Sequence, residues 1–322
     1  MKPIQSPSRI LVLRYRFLGD TILLIPFLRN LRHTYPNAVI DVLVSPNSGE
    51  LLTHCPYIND LIFMDKQHNL WGWGGVLKQR QYDTAFVLKR SWSSAILACL
   101  CGAKQRIGFD TEGRGLLLTH RISYQKEQNE ALSFCENLPV LPEPNTCSLE
   151  IFQHDTDIQW AKNIMAKANQ TKPERNQHVG IHITASNPIK HLPTHFWTEY
   201  LTHLLHHHPV QLHALGAPSD NIYYETLRHS LPKEHQSLLH NHCGQTSLLQ
   251  SQALISQYHA LLGVDSGLLH IASAARIPTL GYYLPTNLSK WAATPTPGTP
   301  SPQNISLTSN QPKDWIAAWN TL

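Results

Sequence analysis

Residues 260–283 have the pattern of a strand, a helix and a second strand running in the same direction. The apolar run 260–264 predicts the first strand. A turn of small residues follows it and opens the helix: Asp265, Ser266 and Gly267. The first amides of a helix have no partners within it and lie at the positive end of its dipole, so such a turn can bind phosphate. The same residues also make an ordinary helix cap, and the turn alone leaves both interpretations open.

Short apolar strands alternate with helices along the whole chain, which favours an α/β fold with parallel sheets covered by helices on both faces. Further strands are predicted at 9–13, 39–44, 61–64, 84–88, 179–183 and 210–215. Helices are predicted between them, at 20–34, 93–101, 127–138, 158–168, 194–206, 221–229 and 247–257. The segment 71–75 (Trp-Gly-Trp-Gly-Gly) is predicted as a flexible loop.

A Pro-rich connection at 139–144 divides the alternation into two parts, and 322 residues are enough for two domains. We predict a first domain at 1–140, a second domain at 141–312 and a C-terminal helix at 313–322. The segment 294–312 is rich in Pro, Thr and Ser and is predicted to be extended and mobile. Two consecutive α/β sheets imply a cleft between them, and ligands bind at the carboxyl ends of such strands.

Composition excludes several classes of protein. A hydrophobic content of 42% excludes a disordered chain. No apolar run reaches about 18 uncharged residues, the length of a membrane-spanning helix, and the N-terminus lacks the apolar segment of a secretory signal. The six cysteines form no CxxC pair and show no zinc spacing, so we expect buried, reduced thiols in a cytoplasmic protein.

Positive charge is concentrated in one part of the first half. Between 78 and 121 there are eight basic residues against three acids: Lys78, Arg80, Lys89, Arg90, Lys104, Arg106, Arg114 and Arg121 against Asp83, Asp110 and Glu112. Such a face suits an acidic ligand, for example a phosphorylated glycan or an anionic membrane surface, and a solvated face is the alternative. Nucleic acid is disfavoured because no aromatic-interleaved basic motif accompanies the charge.

Two other predicted strands also end in polar turns. Asp20 follows the first strand where a helix begins, so it is either the N-cap of that helix or a general base at the carboxyl end of the sheet. Thr184, Ser186 and Lys190 follow the strand at 179–183. Hydroxyls and a lysine in this position can bind a diphosphate and offset charge on a leaving group, although a solvated loop has the same composition.

The histidines are unevenly distributed, with four before residue 150 and sixteen after it. Five of them are predicted on or beside one helix end: His203, His206, His207, His208 and His213. We predict a solvated polar face here and no metal site, because no acidic or cysteine ligand accompanies them at ligand spacing. His270 differs, since it lies one turn into the helix behind the Asp265 turn and could reach a bound diphosphate.

Sequence motifs along nearly the whole chain resemble glycosyltransferase family 9, the heptosyltransferases that build the inner core of bacterial lipopolysaccharide. The motifs follow one another in the family's order: Gly19-Asp20, Arg106-Ile107-Gly108-Phe109, Leu117-Leu118-Thr119-His120, Lys190-His191-Leu192-Pro193, Cys243-Gly244-Gln245-Thr246-Ser247-Leu248, and Asp265-Ser266-Gly267 ending in His270.

The resemblance implies a GT-B architecture, in which two Rossmann-like domains with parallel sheets face an interdomain cleft. It implies an inverting, metal-independent transfer of heptose from ADP-heptose to an anionic lipopolysaccharide core acceptor. No cofactor is expected, and the protein would be cytoplasmic with a possible peripheral contact to the inner membrane. The donor would bind the C-terminal domain and the acceptor the N-terminal one.

The resemblance also implies roles for individual residues. Asp20 would be the catalytic base, and Asp220 would contact the nucleotide ribose. The remaining donor contacts would be Thr184, Ser186, Lys190, Asp265, Ser266, Gly267, Leu268 and His270. Acceptor contacts are assigned to the basic residues of the first domain, namely Arg16, Lys89, Arg90, Arg114 and His120.

Three other functions are alternatives to this one. The same fold could use another nucleotide sugar, or it could be a non-catalytic nucleotide- or glycan-binding module. Asp20, Lys190 and Asp265 are all present, which argues against a module that has lost catalysis. A nicotinamide dehydrogenase is disfavoured because no GxGxxG follows the first strand.

Overall fold

The structure is a computed structural model that describes residues 6–15, 17–65, 69–291 and 304–322. The chain divides into two compact units, here called the first domain (1–152) and the second domain (153–322). The division follows Phe152, beyond the Pro-rich segment at which the sequence analysis placed it.

The first domain is built on one parallel six-stranded sheet with the order β3-β2-β1-β4-β5-β6. Its strands are β1 (Arg9–Leu13), β2 (Val39–Val44), β3 (Asp60–Phe63), β4 (Thr84–Val87), β5 (Gln105–Phe109) and β6 (His120–Ile122). Its helices are α1 (Leu18–Thr34), α2 (Pro46–Gly49), α3 (Leu70–Gln79), α4 (Trp92–Leu100) and α5 (Glu130–Cys135). The central strands β1 and β4 are almost wholly buried, as expected for a parallel sheet with both faces covered.

The prediction of a flexible loop at 71–75 is wrong, because these residues form part of helix α3. Asn69 caps the helix, since its side chain accepts a 2.9 Å hydrogen bond from the Gly72 amide. Trp73 is buried, and Gly74 packs against α4, where a Cβ atom would lie 2.6 Å from the Cβ atom of Leu100. The glycine that suggested a loop is therefore required by close helix packing.

The second domain repeats the plan with the strand order β12-β11-β10-β7-β8-β9. Its strands are β7 (Gln177–His182), β8 (Val210–Ala214), β9 (Leu239–Asn241), β10 (Ala260–Val264), β11 (Thr279–Tyr282) and β12 (Asn304–Leu307). Its helices are α6 (Asp155–Thr171), α7 (Thr194–His207), α8 (Asn221–Ser230), α9 (Lys233–Gln236), α10 (Leu248–Ile255), α11 (Gly267–Ala274), α12 (Leu288–Trp291) and α13 (Pro312–Trp319).

The C-terminal part of the chain belongs to the second domain. Helix α13 buries Trp315 completely, with its ring 5.3 to 5.5 Å from three aromatic rings of α7: Phe196, Trp197 and Tyr200. The prediction of an extended mobile segment at 294–312 is wrong at 304–307, which forms β12 in register with β11. Thr279 donates a 2.7 Å hydrogen bond to the Asn304 side chain there. Residues 294–303 lie outside the described residues.

Five of the six cysteines are buried and Cys99 is partly exposed, and all six are free thiols. In the part of the chain that the structure describes, no helix has the length and apolarity needed to cross a membrane.

A hydrogen-bonded row of side chains crosses the second sheet beneath α6. The ring nitrogens of His178 and His213 lie 2.9 Å apart, and those of His213 and His242 lie 3.0 Å apart. At the other end, the His178 ring contacts the Asn169 side chain at 3.1 Å. Burial lowers the pKa of His178 and of His242 to about 4, and it lowers the pKa of His213 well below its usual value. These histidines are therefore neutral in the folded protein at pH 7.

The histidine row makes the second domain sensitive to acid. Unfolded histidine takes up a proton near pH 6.5, whereas the folded row stays neutral until about pH 4, so the unfolded state binds more protons between these values. Stability is therefore lost as the pH falls through this window, by roughly 1.4 kcal/mol per pH unit for each histidine. Calorimetric unfolding at pH 7 and pH 5 measures this loss.

Two variants separate the row from exposed histidines. His242→Asn should reduce the slope of stability against pH, whereas His229→Gln, at an exposed position on α8, should leave it unchanged. An unfolding temperature of the second domain that is equal at pH 7 and pH 5 would contradict the expectation.

Candidate active site

Each sheet reverses its direction of winding once, between two of its strands. In each domain, predicted site residues follow the strands on either side of this reversal. In the first sheet β1 lies between β2 and β4, and in the second β7 lies between β8 and β10. In open parallel sheets such a switch point leaves a crevice at the carboxyl ends of the two strands, and ligands bind in it. Asp20 and Arg90 follow β1 and β4, whereas Lys190 and Asp265 follow β7 and β10.

Asp20 lies in the first turn of α1 and is almost completely buried. Of the two alternatives for Asp20, the N-cap is excluded, because the helix begins at Leu18 and Phe17 occupies the cap position without a side-chain hydrogen bond. The Asp20 carboxylate instead forms an ion pair with Arg14, whose Nη2 atom lies 2.7 Å from Oδ1. The helix dipole and the guanidinium both compensate the charge that burial would otherwise make costly.

A second buried carboxylate, Glu130, forms an ion pair with the same nitrogen of Arg14. Its Oε1 atom is 4.0 Å from Arg14 Nη2 and accepts a 2.7 Å hydrogen bond from Arg90. Its Oε2 atom accepts a 2.8 Å hydrogen bond from the Tyr124 hydroxyl. Burial, with the adjacent carboxylate, raises the pKa of Tyr124, so this hydroxyl stays protonated and donates.

Three residues of this network were not predicted from the sequence: Glu130, Arg14 and Tyr124. Arg14 could have been found, because it directly follows β1 and is basic at a position where the strand ends. Glu130 could not, since it begins a helix 110 positions after Asp20 and only the folded chain brings the two together.

Two of the predicted acceptor residues lie beside this network. The Lys89 ammonium lies 3.7 Å from the centre of the Tyr15 ring, and the Arg90 guanidinium lies 3.9 Å from the centre of the Tyr124 ring. Such contacts hold cationic side chains without neutralising them. Both cations are only partly buried, so they can also contact a ligand.

The remaining predicted acceptor residues that the structure describes, Arg114 and His120, are buried and less accessible to a ligand. Arg114 is buried and donates to the Thr111 carbonyl at 3.1 Å. Its Nη1 atom forms an ion pair with Glu112 at 3.6 Å but no hydrogen bond within the described part of the chain. Burial lowers the pKa of Arg114, the negative charge of Glu112 opposes this shift, and the positive charge of Arg90 adds to it. His120 is buried beside Thr119, at 2.9 Å from its hydroxyl. Arg16 lies outside the described residues.

In the second domain, the turn after β10 leads into α11 as the sequence predicted. Ser266 occupies the N-cap position of α11 with extended backbone angles, and its side chain does not cap the helix. The Ser266 hydroxyl is buried and has no hydrogen-bond partner among the described residues. The amides of Gly267 and Leu268 therefore begin the helix without a side-chain acceptor, which is the arrangement that binds an anion.

Lys190 and Asp265 meet directly at this helix start. The Lys190 ammonium lies 2.6 Å from Asp265 Oδ2, and the same oxygen accepts a 2.7 Å hydrogen bond from the Thr286 hydroxyl. Asp265 is buried, whereas Lys190 is partly exposed. Thr286 was missed by the sequence analysis, although its position shortly after β11 makes it another polar residue at the carboxyl edge of the sheet.

The other predicted donor residues lie along the same edge. Thr184 is buried, and its hydroxyl has no partner within the described ranges, whereas Ser186 is exposed. Asp220 accepts a 2.8 Å hydrogen bond from the Ala217 amide, in the turn that precedes α8. His270 is buried one turn into α11.

The clustered histidines do not form one group. His203, His206 and His207 line an open groove on α7 together with Glu199, whereas His213 is completely buried on β8. The prediction that placed His213 with the helix end is therefore wrong. Among the residues that the structure describes, no group of three or more His, Cys, Asp or Glu side chains is arranged to hold a metal ion.

Two Rossmann-like α/β domains, each with polar residues at the switch point of its sheet, are the architecture of a GT-B glycosyltransferase. The model of glycosyltransferase family 9 (heptosyltransferase) matches residues 73–315, so the chain belongs to this family of enzymes.

Heptosyltransferases are also among the individual proteins and solved structures that this chain resembles. Lipooligosaccharide heptosyltransferase 2 of Haemophilus ducreyi is 27% identical over 295 residues, which cover 87% of this chain and 84% of that protein. The solved structure of Escherichia coli ADP-heptose lps heptosyltransferase II has a TM-score of 0.77 and 23% identity, and the match covers 97% of this chain and 98% of that one. The structure of E. coli heptosyltransferase WaaC with ADP has a TM-score of 0.72 and 16% identity, covering 97% and 99%. These structures share the fold of this chain.

Proposed function

We propose that this protein transfers heptose from ADP-heptose to a lipopolysaccharide core acceptor, with inversion at the anomeric carbon and without a metal ion. The second domain would bind the donor and the first domain the acceptor. Relatives named lipooligosaccharide and lipopolysaccharide heptosyltransferase 2, together with solved heptosyltransferases whose titles name ADP-heptose or ADP, support this choice of substrates.

The observation that carries the proposal is the meeting of Lys190, Asp265 and Thr286 at the uncapped start of α11. An ammonium group has three N–H donors, so Lys190 can keep its bond to Asp265 and donate to a diphosphate oxygen as well. The first amides of α11 and the unpartnered hydroxyls of Thr184 and Ser266 supply further donors. These groups would offset the charge that grows on the departing diphosphate, as a divalent ion does in other transferases.

The remaining proposed donor contacts lie along the same carboxyl edge of the second-domain sheet. Ser186 is exposed after β7 and would donate to the diphosphate. Asp220 would accept from a ribose hydroxyl with the oxygen that the Ala217 amide does not occupy. Asp265 would face the positive charge that develops on the sugar, and His270 would lie behind the phosphate.

Asp20 would act as the base. The acceptor hydroxyl attacks the anomeric carbon, its proton passes to the Asp20 carboxylate, and the bond from that carbon to the phosphate oxygen breaks so that ADP leaves with the electron pair. The ion pair with Arg14 holds the carboxylate in the buried first turn of α1.

Cationic residues of the first domain would bind the anionic acceptor. Lys89 and Arg90 are partly exposed above aromatic rings, and Arg114 is buried with its Nη1 atom in an ion pair with Glu112, 3.6 Å from Oε2. Arg16 and His120 are proposed as further contacts on the sequence resemblance alone.

A contact with the cytoplasmic face of the inner membrane is part of the same proposal. Trp92 and Leu116 are exposed large apolar side chains of the first domain. Gly113, which the Trp92 ring approaches, precedes the turn that carries Leu116 and Arg114. Exposed apolar residues beside basic ones are the composition that binds an anionic membrane surface.

Thermal unfolding with a panel of nucleotide sugars tests the donor. ADP and ADP-heptose at one hundred times their dissociation constant should stabilise the protein by about 2.7 kcal/mol, which corresponds to an increase of roughly 5 to 10 °C in unfolding temperature. UDP- and GDP-sugars should give no increase at the same concentration. A UDP-sugar that stabilises the protein as strongly as ADP-heptose would favour the same fold with another donor.

A further inference from the structure

Asp20 belongs to a row of alternating charges in the first domain. Arg14 Nη2 lies 2.7 Å from Asp20 Oδ1 and 4.0 Å from Glu130 Oε1, and Arg90 Nη1 lies 2.7 Å from the same Glu130 oxygen. Tyr124 occupies the other oxygen of Glu130 at 2.8 Å. Glu130 is completely buried and is the first residue of α5. A buried carboxylate is costly unless it is paired, so its place between two guanidinium groups requires an explanation.

We infer that Glu130 is a positioning residue for Asp20, because it shares Arg14 with Asp20 and limits how strongly Arg14 holds the Asp20 carboxylate. This inference rests on the proposed function of Asp20 as the base. If Glu130 were neutral, the positive charge of Arg14 would act on Asp20 alone. A carboxylate held more strongly by a cation accepts a proton less readily, and a weaker base lowers the rate of proton transfer.

The two outer members of the row act on Asp20 with opposite signs. Glu130 adds negative charge near Asp20 and favours its protonation, whereas Arg90 partly cancels Glu130 and disfavours it. Tyr124 donates a hydrogen bond to Glu130 and carries no charge. Arg14, Glu130, Arg90 and Tyr124 are connected to Asp20 by the hydrogen bonds and ion pairs described here, and the positive charge of Arg114 lies close enough to Arg90 to interact with it.

The test compares the pH dependence of kcat for transfer from ADP-heptose in three variants of the full chain. Glu130→Gln keeps the shape and removes the charge, and it should move the acidic limb of the profile to lower pH by about one unit and lower the plateau by about tenfold. The KM for the donor should not change. Arg90→Gln should move the acidic limb to higher pH. Tyr124→Phe removes one hydrogen bond and no charge, so it should leave the limb in place.

A second readout does not depend on activity. In protein labelled with ¹³C at the aspartate carboxyl groups, the resonance of Asp20, assigned with Asp20→Asn, should titrate at lower pH in Glu130→Gln than in the unsubstituted protein. If Glu130→Gln does not fold, Arg90→Gln, at a partly exposed position, still tests the opposite shift.

The outcomes separate this inference from the proposed function. An acidic limb and an Asp20 titration that both stay in place in folded Glu130→Gln and Arg90→Gln would overturn the role of Glu130. Absence of turnover in the unsubstituted protein, or full activity of Asp20→Asn, would instead overturn the proposed function, and the Asp20 resonance would still show whether Glu130 acts on it.

Discussion

Asp20→Asn should lower kcat for heptose transfer by about a thousandfold while leaving the affinity for ADP unchanged. Asparagine has the size of aspartate but cannot accept the proton of the acceptor hydroxyl, and general base catalysis contributes about a hundredfold to ten-thousandfold. ADP would bind in the second domain, at groups that the substitution does not touch. Steady-state kinetics with saturating acceptor and calorimetric titration with ADP measure the two effects.

A matched control is provided by Asp41, another buried aspartate of the first domain. Asp41 accepts hydrogen bonds from Tyr82 at 2.6 Å and from Arg80 at 3.2 Å, so Asp41→Asn also removes a buried negative charge from cationic partners. Loss of one member of a buried ion pair costs about 3 to 5 kcal/mol of stability. Both variants should therefore unfold at lower temperature, but only Asp20→Asn should lose turnover when both are assayed folded. Equal losses in the two variants would show that Asp20 acts through stability.

Lys190→Met should weaken the binding of ADP by about a hundredfold. The side chain places an ammonium group beside the start of α11, and a charge-assisted hydrogen bond to a phosphate contributes about 1.5 to 3 kcal/mol. The substitution also leaves the buried Asp265 carboxylate with the Thr286 hydroxyl and without its cation. That negative charge would repel the diphosphate. Calorimetric titration of the full chain with ADP measures the loss.

Lys233→Met is the matched control, since Lys233 is an exposed lysine on α9 of the same domain. It removes the same charge from the protein and should leave the affinity for ADP within twofold. If Lys190→Met behaved like Lys233→Met, the diphosphate would not bind at the start of α11, and the proposed donor site would be wrong.

The fold could be predicted because its strands and helices are specified by patterns of residues that are close together in the sequence. Alternating apolar strands and helices indicated two parallel sheets, and small or polar residues after strands indicated the edges at which ligands bind. Asp20, Lys190 and Asp265 were predicted as site residues in this way, and the structure places Lys190 and Asp265 in direct contact. The rule is physical, because backbone groups at the carboxyl ends of parallel strands are open to a ligand.

What could not be predicted depends on residues distant in sequence. Glu130 contacts the predicted Arg90, and Thr286 the predicted Asp265, only because the chain folds to pack α5 and β11 beside them. His213 was predicted to lie with the exposed histidines of α7 because they are close in sequence. Its strand is buried instead, and its ring bonds to His178 on β7 and to His242 directly after β9. Burial of these polar side chains is tolerated because they satisfy one another.

The most direct test of the central claim is the mass of the acceptor after incubation with the unsubstituted protein, ADP-heptose and a heptose-free lipopolysaccharide core in the presence of EDTA. The proposed function predicts a gain of one heptose residue for each ADP released, and no ADP release when the acceptor is left out. An acceptor of unchanged mass beside a protein that binds ADP-heptose would contradict the transferase and leave a nucleotide-sugar-binding module.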